Sequence, residues 1–277
     1  NQCTLTAVFF QLLLLPFAGD SGPDQRHDGK NISVLRLYGS GNRKLRPLSS
    51  CKQMPQDSFS DRLARVRERI AAACAHARRD PASVKLLSVT KVFPADAILE
   101  AYEHGLREFG ENYVQEMERK APAVAHLTDA RFHLIGHLQS NKTKKAAELF
   151  SSIDTVDSAK LARRLDSESR PLDIMIEVKL SHEEAKSGAD PSELPEIVDA
   201  VRSSRNLKLT GLMTVPPWSE DAELSRPYFA QLRELAATHN IPELSMGMSN
   251  DLEVAIAEGA TWVRVGTCLL YTSDAAD

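Results

Sequence analysis

Lys91 follows the most apolar early segment of the chain, Val84-Lys85-Leu86-Leu87-Ser88-Val89-Thr90. A lysine there, beside Leu87 and Val89, is expected to be partly desolvated. Desolvation favours the free amine, and a free amine can attack an aldehyde to form a Schiff base. A lysine that simply snorkels at a strand mouth is the plainer alternative. A second candidate segment is Ser245-Met246-Gly247-Met248-Ser249-Asn250-Asp251. Its glycine lets backbone approach a ligand, and Ser249 is expected to cap the helix that follows. Exposed N–H groups at a helix start attract phosphate, although a plain cap needs no ligand. The stretch Arg264-Val265-Gly266-Thr267 adds a glycine, a hydroxyl and a cation.

The segment Phe132–Lys142 carries two histidines four residues apart, His133 and His137. No glutamate stands between them as in a helical zinc motif, and the segment begins as a strand, so no metal site is expected. His133 reads as a hydrogen-bonded core histidine and His137 as a residue that could face a site. Lys142, Lys144 and Lys145 read as a solvated helix face, and Glu183-Glu184 as a solvated loop.

These residues need elements to hold them. Leu63, Val66, Ile70, Ala73 and Ala77 recur at helical spacing, with Arg65, Arg67, Glu68 and Arg69 mostly opposite. Short apolar runs then alternate with helical stretches. Strands are predicted at 84–90, 107–110, 132–136, 152–156, 172–178, 207–215, 243–246 and 262–266. Helices are predicted at 95–102, 112–120, 141–148, 158–168, 192–203, 221–238 and 250–257. Eight such units in about 200 residues predict an α/β protein, a single (β/α)8 TIM-type barrel with an extra N-terminal helix. A doubly wound open sheet is the alternative. It would usually carry a glycine-rich first turn, and Thr90-Lys91-Val92-Phe93 has no glycine. In a barrel, function gathers at the C-terminal strand ends: Lys91, Glu111-Asn112, His137, Asp157, Lys179, Met213-Thr214, Gly247–Asn250 and Arg264–Thr267. Barrel phosphate sites often use the loops after strands seven and eight, where the two glycine-bearing segments fall.

Composition narrows the function classes. Lys and Arg number 34 against 38 Asp and Glu, a net charge of −4, which excludes a strongly basic nucleic-acid coat. Aromatic residues make up 6%, too few for single-strand stacking platforms. The four cysteines lie far apart, which rejects a zinc ribbon and a disulfide scaffold and fits a reducing compartment. Residues 1–53 break from the rest. An apolar run near Leu12–Leu15 resembles a leader but lacks a positive flank. Met54 is the expected natural start, with 1–53 as non-native upstream or disordered sequence and 54–267 as the barrel. Residues 268–277 continue no pattern and read as an aberrant or truncated end.

Taken together and in order, several stretches resemble the pyridoxal-phosphate homeostasis protein family. They are Leu86–Lys91, Phe109–Glu116, Phe132–Lys142, Gly211–Thr214, Ser245–Ser249 and Arg264–Thr267, and the resemblance spans about 58–267. It implies a barrel like the N-terminal domain of alanine racemase, and a protein that binds pyridoxal 5′-phosphate (PLP). Lys91 matches the family lysine that forms the aldimine. Ser249, Gly266 and Thr267 match the phosphate cradle, and Arg264 the arginine near the ring nitrogen. Met213 and Asn112 match residues near the ring. An arginine there would keep the ring nitrogen unprotonated and the ring a weak electron sink. The family has a short glycine-containing segment where this chain has Cys268-Leu269-Leu270-Tyr271, and nothing matching 1–53.

The resemblance implies a monomeric cytoplasmic carrier that holds PLP, serves PLP-dependent apo-enzymes, and has no committed catalysis. No nucleic acid or membrane is implied. A PLP-dependent amino-acid racemase is one alternative. It needs a second acid/base opposite the lysine, which alanine racemases take from a C-terminal β-domain without counterpart here. A cofactor-free lysine aldolase is the other.

Overall fold

The computed structural model describes residues 57–181 and 187–270. The expectations for 1–53, for Met54, for Glu183-Glu184 and for 271–277 lie outside the described residues. Eight strands close into a parallel barrel in sequence order: β1 Lys85–Val89, β2 Glu108–Glu111, β3 Arg131–Leu134, β4 Ser152–Val156, β5 Leu172–Glu177, β6 Leu207–Met213, β7 Glu243–Ser245 and β8 Trp262–Val265. Each predicted strand is present. Closure is made by β1 against β8, with Leu87 opposite Arg264 and Ser88 opposite Val265.

Helices alternate with the strands: α1 Phe59–His76, α2 Ala95–Glu103, α3 Val114–Val124, α4 Thr143–Leu149, α5 Ala159–Ser167, α6 Leu194–Arg202, α7 Arg226–Thr238, α8 Leu252–Ala257 and the four-residue α9 Thr267–Leu270. Of the predicted helices only α2 starts where expected; α5 starts one residue later, α3, α4, α6 and α8 two residues later, and α7 five. Pro195 and Pro227 sit in the first turns of α6 and α7, where a missing N–H costs nothing, so both helices begin later than predicted. Residues 222–225 form a separate 3-10 turn. α8 starts at Leu252 rather than 250.

Strand alternation sorts the side chains into two cores. Phe109, Leu134, Ile153, Ile174 and Ile176 belong to the large cluster between barrel and helices. Leu87, Met175, Met213 and Trp262 form a separate small cluster, with Ile135 packed on it. These are inward-facing positions that fill the barrel interior. A charged layer accompanies them. His133 is buried with Nδ1 3.0 Å from Asp154 Oδ2 and Nε2 2.8 Å from Glu108 Oε2. The Trp262 ring lies 5.1 Å from its ring, and Trp262 Nε1 donates to Glu243 Oε2 at 2.9 Å.

α1 buries Phe59, Leu63, Val66, Ile70, Ala73 and Cys74, and packs on α8 and α9. Ser58 caps it, accepting from the Asp61 N–H at 3.2 Å while Asp61 accepts from the Ser58 N–H. Arg62 Nε donates to Leu269 O at 2.7 Å, and Leu269 and Leu270 are buried. The first residues of the segment read as aberrant therefore continue the fold.

Burial alone would lower the pKa of His133, but Asp154 and Glu108 override it and raise the value from 6.5 to about 9. The folded state thus holds this proton more tightly than the unfolded chain. The resulting stability is complete below pH 6.5 and is lost as pH rises through about 9. Urea unfolding of the wild type should show falling stability from neutral pH to pH 10, with a shallower fall in His133→Gln. Equal slopes in the two proteins would contradict the assignment.

Candidate functional site at the barrel mouth

On β1, Leu87 faces the barrel interior and Ser88 and Thr90 face the helices. Continuing the alternation puts Lys91 at an inner-face position, just past the end of the strand. The Lys91 side chain is exposed rather than partly desolvated, because β1 ends at Val89 and Lys91 belongs to a turn at the rim. Asn112 follows β2 in the same way and is half-buried. Its backbone meets the β3 loop so closely that a Cβ on Gly136 would stand 2.1 Å from Asn112 O. Only glycine fits there.

Arg264 projects inward from β8 and is 4% exposed. Its Nη1 donates to Ser245 O at 2.7 Å and to Ser245 Oγ at 2.8 Å, and its Nη2 donates to Thr214 O at 2.9 Å. One guanidinium thereby ties β6, β7 and β8 together at their C-terminal ends. Burial pushes its pKa down, while Asp251, Asp154 and Glu177 push it up. The bonds to Ser245 and Thr214 engage three of the five N–H groups of its guanidinium. Met213 lies beside it on the inner wall and is buried.

The loop after β7 turns at Gly247, whose φ is 92°. A Cβ there would stand 2.5 Å from Ala255 Cβ on α8. Ser249 does not cap α8 as expected. Asp251 occupies the cap position and draws the loop inward, accepting from the Met248 N–H at 2.7 Å and from the Ser225 hydroxyl at 2.9 Å. From α1, Arg69 Nη2 donates to Ser249 O at 2.9 Å and its guanidinium grips Glu253. The extra N-terminal helix thus holds this loop in place. Ser249 is left half-buried at the rim. After β8, the Leu269 and Leu270 N–H groups donate to Gly266 O at 3.0 and 2.9 Å. Gly266 and Thr267 stand where α9 begins. The N–H groups of Ser249, Asn250 and Gly266 donate to no protein acceptor among the described residues. That donor set suits a phosphate.

Across the mouth, a cavity of about 290 Å³ is lined by Ile135, His137, Glu177, Lys179 and Val215. His137 Nδ1 lies 3.6 Å from Asp157 Oδ2. Burial raises the pKa of Glu177 to about 7, against the pull of Arg264. The structure therefore brings Met213, Ser249, Arg264, Gly266 and Thr267 to the β6–β8 side of the mouth, and Lys91 and Asn112 to the adjoining rim at β1 and β2. Sequence reasoning missed Glu177 and Arg69, and gave Ser245 no role of its own within its candidate segment. Period-two counting along β5 from Met175 would have placed Glu177 inward. Nothing local marks the Arg69–Ser249 contact, which joins residues 180 positions apart.

The family model described as "Alanine racemase, N-terminal domain" matches residues 62–274. Alanine racemase from Corynebacterium glutamicum shares the fold at 16% identity and a TM-score of 0.55, over 75% of this chain and 60% of that one. Closer relatives refine the class. A pyridoxal phosphate homeostasis protein from Pseudomonas aeruginosa is 46% identical over 224 residues, which is 78% of this chain and 96% of the relative. One from Escherichia coli K12 is 40% identical over 229 residues, 79% and 98% of the two chains. PipY of Synechococcus elongatus PCC7942, solved with PLP bound, is 40% identical with a TM-score of 0.69, over 77% of this chain and all of PipY. The chain belongs to the pyridoxal phosphate homeostasis protein family.

Gly247→Ala tests the loop geometry. It forces a side chain into the left-handed region and against Ala255, so it should cost about 2–4 kcal/mol in denaturant unfolding. An unchanged stability would show that the loop can turn some other way.

Proposed function

We propose that the chain binds PLP at the barrel mouth, with the Lys91 amine bonded to its aldehyde, and that it serves as a carrier in PLP homeostasis without committed catalysis. The observation that carries the reading is the pairing of two features at one mouth. An exposed primary amine ends β1, and unsatisfied backbone donors end β7 and β8, with β8 paired to β1. The names of the relatives and the PLP-bound PipY structure support the same ligand.

Each residue has a task. Ser249, Gly266 and Thr267 bind the phosphate. Arg264 orients the ring through an N–H that its bonds to Ser245 and Thr214 leave over, and its fixed positive charge favours an unprotonated ring nitrogen. Met213 and Asn112 bound the ring. When bound, PLP supplies an aldehyde that an amine can bond and a ring that draws electrons. Arg264 weakens that draw, which suits holding the group more than transforming a substrate. The proposal extends to a monomer in the cytoplasm that passes PLP to apo-enzymes. Among the described residues, no helix is long and apolar enough to cross a membrane.

Titration of the full chain with PLP, followed by visible absorbance, should give a yellow band that Lys91→Ala abolishes. A panel of amino acids should not be turned over. A band of equal strength in Lys91→Ala would overturn the assignment of Lys91, and steady turnover would overturn the carrier reading.

A further inference from the structure

Behind Lys91, on the outer face of β2, Glu111 is buried between the barrel wall and α3. Its Oε1 accepts from Lys120 Nζ at 2.7 Å and from the Thr90 hydroxyl at 2.6 Å. Lys120, on α3 and 8% exposed, also donates to Thr90 O at 2.9 Å. The Thr90 N–H donates to Gly110 O at 2.9 Å. All three polar groups of Thr90, the residue before Lys91, are therefore held.

The residue after Lys91 is held as well. Val92 has a φ of 62°, in the left-handed region. A β-branched side chain takes that conformation only where its surroundings impose it. Its N–H donates to Glu116 Oε2 at 3.1 Å, and the Phe93 N–H closes the turn onto Thr90 O at 3.2 Å. Glu116 and Lys120 stand four residues apart on α3, one on each side of Lys91. A buried ion pair costs desolvation that apolar packing would avoid, so its worth here lies in what it fixes.

We propose that Glu111, Lys120 and Glu116 are positioning residues that pin the backbone on both sides of Lys91 and so present its amine at one place on the barrel mouth. The proposal rests on the reading of Lys91 as the aldehyde-binding residue.

The test uses the full chain and three variants: Glu111→Gln with Lys120→Met together, Glu116→Ala, and Glu116→Gln. Removing both charges leaves no unpaired buried ion. Glu116→Ala lies outside the buried pair and keeps the test usable if the double variant does not fold. Amide hydrogen exchange without ligand is the first readout. Exchange at Val92 should rise about tenfold or more in the double variant and in Glu116→Ala, with β5 and β6 unchanged. Glu116→Gln, which keeps an acceptor, should restore protection. Affinity for PLP, read by visible absorbance, should fall about tenfold or more in the same two variants. Folded variants with unchanged exchange would overturn the proposal. Faster exchange with unchanged affinity would overturn the positioning role. Failure of the underlying reading looks different, because Lys91→Ala would then bind PLP as the wild type does.

Discussion

A strand in a closed barrel can show its side chains only inward or outward, in strict alternation. The mouth of this protein follows from that constraint. Leu87 points in, so the position two residues past Val89 belongs to the mouth, and Lys91 occupies it. Arg264 is inward on β8 and Gly266 follows its end in the same phase, as Met175 and Glu177 share one on β5. The same rule sends Ser88, Thr90 and Glu111 outward. One strand thus serves two tasks, with a rim residue for a ligand and a buried neighbour for the scaffold.

Polar groups inside such a barrel must satisfy one another, since water does not reach them. His133 does so with Glu108 and Asp154, and Arg264 with the carbonyls of Ser245 and Thr214. The small apolar cluster of Leu87, Met175, Met213 and Trp262 shares the interior with them, its Trp262 ring 5.1 Å from the His133 ring. His133 holds its proton for structural reasons. Arg264 has a donor left over and sits where the strands open, so it can serve a ligand. Loops then bring backbone amides without a protein acceptor among the described residues to the same rim, and α1 steadies one of these loops through Arg69.

The eight strands were legible because short stretches rich in apolar residues recur in regular alternation with helix-periodic ones, although β2, β3 and β7 each carry polar or charged residues. Lys91, Arg264 and Gly266 were legible because strand phase and strand end fix their place. Helix starts were less so, since Pro195 and Pro227 permit a helix to begin at several nearby positions. The exposure of Lys91 was not legible, because the length of β1 depends on its pairing with β2 and β8. Ser249 looked like a cap by residue type, but Asp251 took that place through contacts with Met248 and Ser225. The Glu111–Lys120 pair joins a strand to a helix, and neither periodicity reveals it.

We propose Lys91 as the residue that bonds PLP. Borohydride reduction of the PLP-loaded chain, followed by proteolysis and mass analysis, tests it most directly. The expected result is a pyridoxyl-phosphate mass on the peptide carrying Lys91 and on no other at comparable yield. The same adduct on a different lysine, with Lys91 unmodified, would contradict it.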